Sequence, residues 1–179
     1  MKKTLLLVMA LLASQMYAQD KAFTFGVKAG ANFSNLEVDT DFGDFSPDGA
    51  TSIFIGAFVD LGIAESLHFQ PELQYSIEGA EDADITYLNV PLMLKYYIVD
   101  GLNVQAGPQI GILLDAEGGT EGLKSSNFVL NLGAAYEFPM GVFIDARYNL
   151  GLSNIAEDDP EFDASLKTKG FQLGVGYRF

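Results

Sequence analysis

The chain has 179 residues, no cysteine, a formal net charge of −14 and an apolar fraction of 49%. That length suits one domain, and the lack of thiols excludes both a disulfide framework and a lipoprotein anchor. The acidic balance argues against nucleic acid as a partner, because a phosphate backbone is bound by clustered Lys and Arg.

The first element is "MKKTLLLVMALLASQMYAQD". Lys2 and Lys3 precede an apolar run from Leu5 to Ala13, and Ala18 stands before Gln19-Asp20. This predicts a cleaved signal peptide at residues 1–18, with the mature domain at 19–179. Removing Lys2 and Lys3 leaves the mature chain more acidic still, yet the full chain is 49% apolar with a positive mean hydropathy, so charge and apolar surface must be segregated in space. No later stretch reaches the ~18 consecutive apolar residues of a spanning helix.

Eight segments then alternate apolar and polar with period two, the signature of strands. The first, Phe23 to Ser34, sets Phe23, Phe25, Val27, Ala29, Ala31 and Phe33 against Gly26, Lys28, Gly30 and Asn32. The second sets Ile53, Ile55, Ala57, Val59 and Leu61 against Phe54, Gly56, Phe58 and Asp60. The third runs from Leu67 to Glu78, with His68, Gln70, Glu72, Gln74, Ser76 and Glu78 on its polar stripe. The fourth spans Leu88 to Tyr97, with Lys95 on the polar side, and the fifth spans Leu102 to Ile112. The sixth carries Phe128, Leu130, Leu132, Ala134, Tyr136 and Phe138. The seventh sets Val142, Ile144, Ala146, Tyr148 and Leu150 against Asp145, Arg147 and Asn149. The eighth is the C-terminal "GFQLGVGYRF", which alternates to its last residue.

No apolar face carries a charge, and each segment is about the ~9–11 residues a tilted strand needs to cross a bilayer. Connections near Gly62–Glu65, Val99–Gly101 and Pro139–Gly141 are short, whereas 35–50, 79–85, 115–126 and 153–168 are longer, polar and acidic. The fold class is therefore all-β: an eight-stranded antiparallel up-and-down transmembrane β-barrel. Both termini are expected in the periplasm and the long acidic loops outside the cell. A lipocalin-type soluble barrel shares the alternation but reverses its faces. Glycines crowd the polar stripes (Gly26, Gly30, Gly107, Gly174, Gly176), as the lumen of a narrow membrane barrel requires.

Gln172, Gly174, Tyr177 and Phe179 match the C-terminal assembly signal of bacterial outer-membrane barrels. By that resemblance, they are read by the barrel-assembly machinery. "GVKAGANFS", "LHFQPELQYSIEGA", "LNVPLMLKYY", "LNVQAGPQIGILL", "DARYNLGLSNI" and "FQLGVGYRF" resemble the PorT-like outer-membrane β-barrel family of Bacteroidota over nearly the whole mature chain. Two departures stand out: Asn89 replaces a common Glu, and Ile77-Glu78 replaces a common polar-basic pair. The resemblance implies an outer-membrane location and, through the family's founding member, an accessory role in a protein-secretion system.

Candidate chemistry is sparse. The only histidine, His68, lies near the short turn with Ser66 and Glu65, where a Ser–His pair would meet no lipopolysaccharide. No activated nucleophile is evident, so no enzyme and no cofactor are expected. Eight charged residues point inward as a balanced lumen network: Lys28, Lys95, Arg147 and Arg178 against Asp60, Glu72, Glu137 and Asp145, with Arg147 as its central cation. Asp39, Asp41 and Asp44 in "DTDFGD" are weak candidates for a divalent cation, without the ligand series of an EF-hand. Most remaining carboxylates, Glu78 among them, are assigned to the long connections. The expected role is non-enzymatic, envelope-structural or partner-binding. The alternatives are the secretion accessory and a narrow solute or ion channel. Expected partners are outer-membrane lipid and lipopolysaccharide, the assembly machinery during biogenesis, and a secretion-system or surface protein.

Overall fold

A computed structural model of the chain describes residues 23–40, 43–45, 49–80, 83–156 and 164–179. The signal peptide read at residues 1–18 and Asp41 lie outside these residues. The alternating segments form β1 (Phe23–Thr40), β3 (Ala50–Ala64), β4 (Leu67–Ala80), β5 (Ala83–Val99), β6 (Leu102–Ala116), β7 (Ser126–Glu137), β8 (Val142–Gly151) and β9 (Ala164–Arg178). A short β2 (Gly43–Phe45) folds back on the end of β1 through Val38↔Phe45 and Thr40↔Gly43. Each wall strand pairs antiparallel with the next, and β9 returns to β1 from Gly26↔Arg178 to Thr40↔Ala164. The sheet thus closes into an eight-stranded barrel, which leaves no unpaired edge in the wall.

Period-two alternation dictates two faces, and burial shows which one is inside. Outward positions expose large apolar side chains, such as Ile53 at 67%, Phe171 at 59% and Val175 at 53%. Inward positions bury polar ones, with Ser76 at 0%, Gln74 at 1% and Asn89 at 1%. This is the reverse of a soluble protein and overturns the lipocalin-type arrangement.

The inward glycines have a steric purpose. Phe54 projects into the lumen across the Gly30↔Gly174 pair, and a Cβ on Gly30 would come 2.7 Å from its ring and still closer to the Leu173 carbonyl. At the short-turn end, Gly141 holds φ at +90° while its amide donates to the Phe138 carbonyl at 3.0 Å. An L side chain rarely adopts that conformation.

The strands run further than the sequence pattern does. β1 continues to Thr40, β4 and β5 are separated only by positions 81–82, and β6 reaches Ala116. Glu37, Glu78, Asp84 and Asp115, read as connection residues, therefore lie within β1, β4, β5 and β6. Alternating hydrophobicity stops where the outward face becomes polar, but the backbone ladder continues because neighbouring strands still supply its partners. Two smaller corrections concern the short turns. The first is Glu65–Ser66 rather than Gly62–Glu65, after a register shift between Gly62 and Ala64, and Phe138 lies just beyond β7.

Candidate functional site

The lumen holds the candidate chemistry. Residues two apart on a strand share a face, so Asp145 and Arg147 on β8 both point inward. Arg147 grips Glu72 on β4 with a two-pronged fork, Nη1 to Oε2 at 2.9 Å and Nη2 to Oε1 at 2.6 Å. Its Nε lies 2.9 Å from Asp145 Oδ2, and Nη2 also donates to Gln105 at 3.0 Å. Lys28 on β1 donates to Asp145 at 2.7 Å and sits 3.6 Å from Glu72. Gln70 and Gln74 donate to the two Glu72 oxygens at 2.7 and 2.5 Å. The cluster is fully enclosed and charge-balanced, as a buried ion-pair group must be to offset its desolvation.

A second cluster lies toward the short turns. Lys95 donates to Asp60 at 2.8 Å, to Glu137 at 2.7 Å and to Gln70 at 3.0 Å. Arg178 reaches Glu137 at 2.6 Å, and the Tyr97 hydroxyl donates to the same carboxylate at 2.7 Å. His68 Nδ1 is hydrogen-bonded to Asp60, and its ring packs 4.8 Å from that of Tyr97. Gln70 touches Lys95 on one side and Glu72 on the other, so the two clusters form one continuous network.

The imidazole and the hydroxyls here make hydrogen bonds within the barrel. The His68 nitrogen facing Asp60 is engaged, and Ser66 lies in the turn, where its carbonyl accepts from the Tyr97 amide at 2.8 Å. Inward Ser76 donates to Glu78, and the Ser34 hydroxyl accepts from the Gly79 amide. Among the described residues, no group of three or more His, Asp or Glu is disposed to hold a metal ion. Asp39 and Asp44 are opposite each other in the β1–β2 ladder.

Glu78 was misplaced by sequence reasoning. It is buried in the barrel wall, not solvated in a loop. Its Oε1 accepts from Asn89 at 2.6 Å and from Ser76 at 3.0 Å, with no ion pair recorded among the described residues. Glu78 and Asn89, 11 positions apart, thus meet in the fold. The available signal was parity, because Glu78 continues the inward stripe of Gln74 and Ser76. Glu78→Gln should leave stability unchanged or raise it by about 1 kcal/mol, since it removes a buried charge while keeping an acceptor for Asn89. Urea unfolding of the reconstituted barrel checks this, and a loss above ~2 kcal/mol would mean that the carboxylate has a compensating partner.

An apolar plug was also missed. Leu36, Ala80, Ile85, Tyr87, Ala116 and Ile155 are buried together at the long-loop end, against Leu113, Leu123 and Leu166. Backbone bonds tie the loops over it: the Lys124 amide donates to the Ile155 carbonyl at 2.7 Å, and the Ile155 amide to the Leu166 carbonyl at 2.8 Å. A Leu123↔Ala156 bridge adds to them. Isolated apolar residues within acidic segments were the only sequence trace of this plug.

The terminal strand closes the wall. Gln172 donates to Asn32 at 2.9 Å inside the barrel, whereas Phe179 stacks on Phe25 at 5.1 Å and meets Tyr177 edge-on at 5.1 Å outside it.

Solved structures share this architecture. Neisserial surface protein A is 15% identical with a TM-score of 0.52, over 87% of this chain and 97% of that one. Ail, the attachment invasion locus protein of Yersinia pestis, is 16% identical with a TM-score of 0.52, over 87% of this chain and 99% of that one. At such identities the likeness is one of fold alone. No curated protein matches the sequence. The family model described as the outer membrane protein beta-barrel domain matches residues 4–179. With a closed wall, an apolar exterior and a polar interior, this chain belongs to the outer membrane protein β-barrel domain family.

Proposed function

We propose that this protein is a non-enzymatic, non-conducting barrel that holds its long loops outside the cell as a platform for a partner. The observation that carries this reading is the obstruction of the lumen. A continuous ion-pair network fills its middle, and an apolar plug tied by loop hydrogen bonds covers the long-loop end. A solute would have to break buried ion pairs and then cross a dry apolar layer. The orientation follows from export: β1 begins and β9 ends beside the short turns, so a chain delivered to the periplasm leaves that end inside.

Planar-bilayer recording provides the test. The reconstituted protein should give no conductance steps above those of lipid alone, and well-resolved steps lost on blocking the long-loop end would replace this reading with a channel. Protease added to intact cells should cut within 153–163 and spare Pro139–Gly141; the opposite pattern would invert the topology. The motifs shared with PorT-like barrels support a second reading, an accessory subunit of a secretion system. Stable co-purification with a secretion complex from outer membranes would favour it.

A further inference from the structure

Among the described residues, the basic side chains divide by position. Lys28, Lys95, Arg147 and Arg178 point into the lumen, and Lys124 lies in the connection between β6 and β7. Lys167 and Lys169 differ from all of these. The inward positions beside them are Leu166, packed against the plug, and Thr168, bonded to Asn127 inside the barrel. The two lysines therefore share the outward column of β9 with Phe171, Leu173, Val175, Tyr177 and Phe179.

Their height can be placed. From Phe171 to Phe179 the strand rises about 27 Å along itself, or about 21 Å across the membrane at a tilt of about 40°. A hydrocarbon band is ~25 Å tall in such barrels, so the next outward residues stand at headgroup level. The Tyr148–Phe171 ring contact at 4.9 Å lies where an interfacial aromatic girdle belongs. On the neighbouring strand, Asn35 is opposite Lys169 and Glu37 is opposite Lys167. Lys169 pairs with Glu37 at 2.9 Å, but both are partly exposed (31% and 40%), and such pairs are weak and exchangeable. The Asn35 amide oxygen has no hydrogen-bond partner, and a flip of that amide would present its donor instead.

We propose that Lys167 and Lys169, on the outward β1–β9 seam at the long-loop rim, bind a phosphate of an anionic glycolipid in the outer leaflet. The phosphate competes with Glu37 for Lys169, and the chain below it packs on Phe171 and Tyr148. In a chain of net charge −14, Lys167 and Lys169 are two cations on the outward column of one strand, where a lipid phosphate can be drawn in. The assignment rests on the proposed orientation, so the experiment reads binding independently of topology.

Native mass spectrometry of the barrel in micelles doped with phosphorylated lipid A gives that readout. The wild type should retain the lipid, and dephosphorylated lipid A should be retained far less. A Lys167→Gln/Lys169→Gln variant should lose about 25-fold in affinity, roughly fivefold per lysine. Glu37→Gln should bind more tightly than wild type. Millimolar inorganic phosphate should not displace the lipid; displacement would overturn the lipid assignment in favour of a free-phosphate site. Unchanged retention in the double variant, or equal retention of dephosphorylated lipid, would also overturn the proposal. Heat-modifiable migration in SDS verifies that each variant is folded, and protease mapping on cells tests orientation separately.

Discussion

Arg147→Ala will lower the stability of the folded barrel by about 3–5 kcal/mol, the cost of breaking a fully buried ion-pair group by removing one partner. The loss arises from what remains. Glu72 loses both prongs of its fork, and Asp145 keeps only Lys28. Two carboxylates would then share one ammonium in an enclosed site. Urea unfolding in phospholipid vesicles, followed by tryptophan-free circular dichroism, measures the change. A paired deletion separates charge imbalance from lost packing. Arg147→Met combined with Glu72→Met keeps the Lys28–Asp145 pair and restores neutrality, so it should recover most of the stability. A single-variant loss near zero would mean that water enters the lumen freely, which would revive the channel reading.

Removing Phe179 will weaken closure of the barrel by about 2–4 kcal/mol and sharply reduce the assembled protein in the outer membrane, with export across the inner membrane intact. Two aromatic contacts disappear, to Phe25 and Tyr177, each worth ~0.5–1.5 kcal/mol beyond the area buried. The hydrogen bond that the Phe179 amide donates to the Phe25 carbonyl at 2.8 Å goes with them. This is the seam between first and last strands, which joins the two ends of the wall. Phe179→Tyr should assemble normally, because the ring and the chain length are kept. Heat-modifiable folded protein in isolated outer membranes is the readout. Wild-type levels after deletion would show that assembly does not read the terminal aromatic.

Much of this was legible from residue order because β-barrels encode their faces with period two. The strict alternation in "LHFQPELQYSIEGA" placed Glu72 and Gln74 on one face without any knowledge of neighbours. The same parity put Asp145 and Arg147 together on β8. Glu78 was misassigned because its acidic surroundings outweighed its parity. The upper ends of β1, β4, β5 and β6 escaped notice because their outward residues leave the membrane and lose the apolar signal, while their backbones continue to pair.

The sequence by itself determined the number of wall strands, their antiparallel connectivity and the two faces of each strand, whereas its four-against-four count of lumen charges left out the inward Glu78. Strand number, connectivity and faces are local properties, set by side-chain alternation and by the length of each connection. Only the tertiary structure decided which charges meet. The pairing of Arg147 with Glu72, 75 positions away, depends on the barrel's closure and stagger, which bring strands from opposite sides of the wall within reach. It also decided that Leu36, Ile85 and Ile155, scattered through three acidic stretches, form one buried apolar plug. Such contacts join segments with no periodic relation to each other, so they exist only once the wall has closed and set the height of every residue.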